Sequence, residues 1–190
     1  ADVLSYRVLW FERSGEGFAP PAHYPKKAMA CVSTHDLPTL EGWWAAADIA
    51  EKETLGLIAP EAADAARAAR RAEKEALLDA LRAQGLIGDA HQPSSPFDDA
   101  LAQALHAFVA RTPSLLAVAQ LDDLAAEVNA INLPGTDRER ANWRRRLPDS
   151  LDTLFDSPRA SAILAGLRRN VDAIEEAYPS SGEINCRGRT

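Results

Sequence analysis

A histidine and an aspartate stand side by side at the end of a short apolar run. Ala28-Met29-Ala30-Cys31-Val32 leads into Ser33-Thr34-His35-Asp36, and a helical pattern begins within a few residues. In an α/β protein, polar residues at the carboxyl end of a buried strand are where ligands and reacting groups sit. An imidazole beside a carboxylate there can hydrogen-bond sugar hydroxyls or orient a reacting group. The same residues also admit a structural account, in which Asp36 caps the next helix and His35 is packed. Local sequence leaves both accounts open.

Other residue types along the chain could do chemistry, and each has a plainer reading beside it. Glu12 and Arg13 open a loop and could touch a sugar, or form a surface ion pair. Trp43 and Trp44 fall in the first turn of a helix over 41–54. Their rings could stack on sugar faces, but large aromatics so near a strand end more often anchor the helix; Trp44 is the better candidate for substrate contact. Asn132 offers a donor and an acceptor, as hydroxyl recognition requires, within a Pro134-Gly135 turn that suits a glycine at positive φ. Asp122 and Asp123 could be taken for a catalytic pair. At a strand end, adjacent residues point to opposite faces, and Asp123 is expected to cap a short helix over 124–128. His23, His35 and Asp36 are residue types that bind zinc, yet no supporting pattern surrounds them, and neither a metal nor a cofactor is expected. His91 and His106 have no partners at meaningful spacing and are read as structural or solvated.

The wording of three blocks carries more than their composition. Ser33-Thr34-His35-Asp36-Leu37-Pro38 with Gly42-Trp43-Trp44 resembles the strand-seven motif of the 4-α-glucanotransferases, the amylomaltases or disproportionating enzymes of glycoside hydrolase family 77. Ser5-Tyr6-Arg7-Val8-Leu9-Trp10-Phe11-Glu12 resembles the preceding barrel strand. Asn132-Leu133-Pro134-Gly135-Thr136, followed by Asn142-Trp143-Arg144-Arg145-Arg146-Leu147, resembles the loop after the last strand. The resemblance implies retaining transfer of α-1,4-glucan segments between maltooligosaccharides. It further implies that Asp36 is the third catalytic aspartate, which stabilises the transition state by holding sugar hydroxyls, and that His35 donates to a neighbouring hydroxyl. Asn132 falls near the acceptor side and Glu12 on a loop at the substrate face. In the family, the nucleophile aspartate and the acid/base glutamate precede the segment matched by Ser5 to Glu12. The chain begins at Ala1-Asp2 without an initiator Met, so it is read as a carboxyl-terminal portion and expected to be inactive alone. Two rivals stand beside this reading. One is a non-catalytic sugar-binding remnant or helical interaction module; the other is an α-amylase-type hydrolase, whose barrels also carry a His-Asp pair after strand seven.

The elements that must position these residues are few. Strands are predicted over 6–11, 29–33 and 115–121. A (β/α)8 barrel needs about 250 residues, so 190 residues with three strands fit strands six to eight of a TIM barrel, an α/β fold. The edge of the sixth strand would be an unpaired ladder prone to association. Residues 13–27 read as loop, punctuated by Gly and Pro. Residues 60–84 read as a helix, with Pro60 in its first turn, Gly85 as its stop, and an apolar stripe of Leu77, Leu78 and Leu81. A further helix is expected over 97–111, so a helical insertion of about 45–111 separates strands seven and eight. Residues 152–177 read as a closing helical region with Pro158 near a helix start, and Trp143 as core. The barrel portion is thus assigned to 1–177 and a disordered tail to 178–190.

Composition narrows the partners. A net charge of −7 argues against nucleic acid, whose binding depends on Lys and Arg neutralising phosphates. The Arg144-Arg145-Arg146 cluster is read as a brace for the last loop. No run of eighteen apolar residues suggests a membrane span, and the two cysteines, Cys31 and Cys186, do not form a disulfide framework. The cytoplasm is the expected compartment.

Overall fold

The computed structural model describes residues 3–15 and 17–168. At its centre lies a parallel three-stranded sheet of β1 (Ser5–Val8), β4 (Ala28–Cys31) and β5 (Leu116–Val118), with β4 in the middle. Ser5 pairs with Ala28 and Val8 with Cys31, and Met29 pairs with Leu116 and Cys31 with Val118. The three strands are in step, so the segments that leave their carboxyl ends emerge on one rim. β4 is built from small apolar residues because helices and both neighbouring strands close in around it. Ala28, Ala30 and Cys31 are buried, as expected of a central strand in a parallel sheet.

All three strands are shorter than the sequence suggests. The first stops at Val8, because Leu9–Phe11 turn into a 3₁₀ helix that buries Leu9 and Trp10. The loop that follows contains a small hairpin, β2 (Arg13–Ser14) paired with β3 (Gly17–Phe18), and Gly15 takes positive φ at its turn.

Between β4 and β5 run four helices: α1 (Leu40–Ala45), α2 (Ala47–Thr54), α3 (Pro60–Ala83) and α4 (Asp99–Ala110). The helix expected over 41–54 is broken at Ala46, which takes a left-handed φ of 56°. No local residue dictates this, since alanine favours an unbroken helix. The cause is tertiary. Arg70, buried on α3, donates to the Trp43 carbonyl and clasps both Asp48 carboxylate oxygens at 2.9 Å. α3 buries Leu77, Leu78 and Leu81, and Gly85 stops it at positive φ. α4 is apolar almost all round and is correspondingly buried between β4 and a later helix.

After β5 come α5 (Leu121–Leu124), a long irregular loop, α6 (Leu151–Phe155) and α7 (Pro158–Leu167). Pro158 occupies the first turn of α7, and Ser157 caps it by accepting from Ala160 N at 3.1 Å. α7 lies tightly along α4: a Cβ on Gly166 would run into the Gln103 carbonyl. Arg159 of α7 then ties Glu41 of α1 at 3.2 Å and Asp99 of α4 at 2.6 Å. The expected tail of 178–190, the end of the closing helical region and Cys186 lie outside the described residues.

Candidate active site

The site grows from the turn that follows β4. Ser33 is buried and its Oγ donates to Pro38 O at 2.9 Å, while Leu37 N donates to Thr34 O at 3.0 Å. This closed turn holds His35 and Asp36 outward with about half of each side chain exposed, and His35 Nε2 lies 3.4 Å from Asp36 Oδ2. Asp36 does not cap the next helix. That task falls to Thr39, whose Oγ1 accepts from Gly42 N and donates to Val128 O, both at 3.0 Å. Asp36 is therefore free for another partner.

That partner is Asn132, whose Nδ2 donates to Asp36 Oδ1 at 2.7 Å across 96 positions of sequence. Several contacts make this reach possible. Gly42 lets the backbone of α1 approach Val128 so closely that a Cβ would strike the Val128 carbonyl. Asp123, expected to cap its own short helix, instead sits inside α5, buried, and accepts from Leu40 N of α1 at 2.9 Å. Burial pushes its carboxyl pKa up to about 7, and the charge of Asp122 adds to the rise. Asp122 points elsewhere, to Arg145 at 2.8 Å, and Arg145 also meets Glu127 at 3.3 Å. The two adjacent aspartates diverge, and Arg145 is the brace expected of the arginine cluster.

The loop beyond Asn132 is held by its own polar residues. Leu133-Pro134-Gly135-Thr136 forms a turn closed by Thr136 N to Leu133 O at 3.2 Å, with Gly135 at a φ of 86°. Asn142 accepts from Leu133 N at 3.0 Å and donates to Thr136 Oγ1 at 2.8 Å. Arg140 links Asn142 at 2.8 Å to Glu51 of α2 at 2.7 Å. Trp143, expected in the core, is 60 % exposed. Its ring centroid lies 5.2 Å from that of His35, and its φ is 61°. A cavity of about 320 Å³ opens beside Asp36 and Asn132, walled by Trp10, Trp43, Asp48 and Arg70.

Of the remaining sequence candidates, Trp43 borders this cavity, whereas Glu12, Arg13 and Trp44 do not. Glu12 pairs with Arg7 at 3.3 Å, and Arg13 pairs with Glu73 at 3.2 Å. Trp44 is 5 % exposed, donates from Nε1 to Ser95 O at 2.8 Å and packs against Phe97, with Lys74 over its ring. Its ring is core and offers no open platform to a sugar. Trp43 is core as well, stacked on Trp10 at 4.4 Å and covered by Arg70. His23 does not join His35 and Asp36; among the described residues no three His, Cys, Asp or Glu side chains gather as a metal-holding group. His91 pairs with Asp98, and His106 is wholly buried with its pKa lowered by burial to about 4.

Sequence reasoning missed Arg70, Arg140 and Trp143. The partners of the two arginines sit 22 and 89 positions away, so no spacing points to them. For Trp143 a cue existed, because three consecutive arginines follow it and argue against deep burial.

Comparison with known proteins bears on this arrangement. Residues 1–152 match the family profile of glycoside hydrolase family 77, described as 4-alpha-glucanotransferase. A 4-alpha-glucanotransferase of Haemophilus influenzae is 32 % identical over 161 residues, which cover 82 % of this chain and 23 % of that protein. One from Mycobacterium tuberculosis is 32 % identical over 177 residues, or 87 % of this chain and 24 % of its own length. The crystal structure of amylomaltase from Corynebacterium glutamicum superposes with a TM-score of 0.80 at 28 % identity, covering 88 % of this chain and 26 % of the other. The chain thus spans about a quarter of the length of the curated relatives it matches.

Proposed function

Because this chain belongs to the 4-alpha-glucanotransferase family, glycoside hydrolase family 77, we propose that it supplies the sugar-holding part of an active site that transfers α-1,4-glucan segments between maltooligosaccharides. We assign β1, β4 and β5 as the sixth, seventh and eighth strands of the barrel. Two observations support this. The strands are parallel and adjacent in chain order. Tyr6, Leu116 and Val118 are exposed, although purely parallel sheets are ordinarily covered on both faces.

In this reading Asp36 accepts hydrogen bonds from two hydroxyls of the glucosyl residue at the reacting centre, and His35 donates to a neighbouring one. Retaining transfer passes through a transition state with oxocarbenium character, in which hydrogen bonds to the ring hydroxyls strengthen. A carboxylate already fixed in place gains most there, since it need not reorganise when charge develops. The contact from Asn132 to Asp36 at 2.7 Å is the observation that carries the proposal. It joins two separately matched blocks at the carboxyl rim of the sheet and clamps one oxygen of Asp36. Asn132 then acts as a positioning residue, in addition to any contact it makes with the acceptor. A nucleophile and an acid/base are also required. We assign neither role within 3–168 and expect the isolated chain to be inactive.

Glucose release from maltotriose tests the proposal. The assay compares the 190-residue chain with the Mycobacterium tuberculosis relative whose matching quarter is replaced by this chain. The isolated chain should be silent and the graft active. Asp36→Asn in the graft should lower kcat by roughly a hundredfold or more, with a smaller effect on KM. An active graft indifferent to Asp36→Asn would overturn the assignment.

A further inference from the structure

We propose that Trp143 is a stacking platform for a second glucosyl residue, adjoining the one held by Asp36 and His35. The inference rests on that reading of the Asp36–His35 site and adds a ligand contact to it.

Trp10, Trp43 and Trp44 are buried, whereas Trp143 is 60 % exposed. It is also strained. A φ of 61° is a true outlier for a bulky side chain and persists only where surrounding structure over-determines it. Here that structure is visible. Trp143 N donates to Ile131 O at 3.0 Å, and the preceding Asn142 is locked through Leu133, Thr136 and Arg140. A glycine would take this backbone without strain, so the ring itself must answer for the tryptophan. It does not do so by packing in the core.

Its position suggests what it does. The indole meets the His35 ring at 5.2 Å with the two planes tilted by 53°. Trp143 lines a groove of about 590 Å³ together with Asn132, Thr136, Asp137 and Arg140. An α-glucosyl ring has C–H groups on its faces and hydroxyls around its rim. An open indole suits the first, and a wall of amide, hydroxyl, carboxylate and guanidinium groups suits the second. Asn132 borders both this groove and the cavity at Asp36, so one oligosaccharide could run from Asp36 across Asn132 to Trp143.

The test is ¹⁵N NMR of the four indole N–H signals in the 190-residue chain, with Trp143→Phe identifying the Trp143 signal. Maltotriose should move that signal saturably and further than glucose, which lacks the second glucosyl residue. Trp143→Gly relaxes the backbone, so the fold should hold while affinity for maltotriose falls between about twofold and tenfold. Trp143→Phe should keep most of the affinity. An unmoved Trp143 signal, in a chain whose maltotriose binding is weakened by Asp36→Asn, would overturn the platform and leave the Asp36 reading standing. A moved signal indifferent to Asp36→Asn would support the platform and overturn the reading of Asp36. No response in any arm would overturn both.

Discussion

Asp123 shows how a single residue can be recognisable by type while its role depends on a distant partner. The sequence marks it as a helix cap, but the donor it serves is Leu40 N on another element. Its neutral acid still accepts that hydrogen bond, which is why burial can hold its pKa near 7 against an ordinary 3.8. The folded state therefore binds a proton that the unfolded state has released, so Asp123 costs stability as pH rises from about 4 to about 7. His106 works in the opposite direction. Its folded pKa of about 4 lies below the ordinary 6.5, so its contribution is lost as pH falls through that interval. Asp123→Asn keeps an acceptor for Leu40 and removes the titration. Urea unfolding at pH 5 and pH 8 should show the variant gaining on the parent at the higher pH, by on the order of 1–4 kcal/mol. Equal pH dependence in the two proteins would mean that Asp123 is ionised without penalty. The pairing of Asp36 with His35 and the Pro-Gly turn were legible in the residues; the exposed indole of Trp143 was marked only by the three arginines that follow it, since tryptophan alone reads as core.

At the scale of elements, the central strands and long helices were legible from pattern, whereas their ends, the β2–β3 hairpin within 13–27 and the place of α5 were not. The small-residue run of β4, the Leu77-Leu78-Leu81 stripe of α3 and the Pro158 start of α7 all formed where the sequence put them. The break at Ala46 and the early end of β1 arise from contacts made across the fold, Arg70 on the Trp43 carbonyl in one case and burial of Leu9 and Trp10 in the other. The junction of α1 with the segment after β5 matters most for the site, because it sets the reach from Asn132 to Asp36. Gly42 is its contact point. Gly42→Ala must push Val128 away and should cost about 1–3 kcal/mol in thermal or urea unfolding. It should also weaken maltotriose binding, since Val128 lies four residues before Asn132. Unchanged stability and affinity would show that the junction has slack.

For the molecule as a whole, β1 and β5 each pair on one side within the sheet, and apolar side chains stand exposed on it. Among the described residues no helix is long and apolar enough to cross a membrane. The family was legible because three blocks lie in the right order. The geometry that joins them was not, since it depends on contacts spanning 83 to 96 positions. The central claim is that Asp36, steadied by Asn132, holds a glucosyl residue. Calorimetric titration of maltotriose into the 190-residue chain and its Asp36→Asn variant tests this most directly. The account requires saturable binding by the parent and its loss, or a fall of about tenfold or more, in a variant that unfolds at the same temperature. Equal affinity in the two proteins would contradict it.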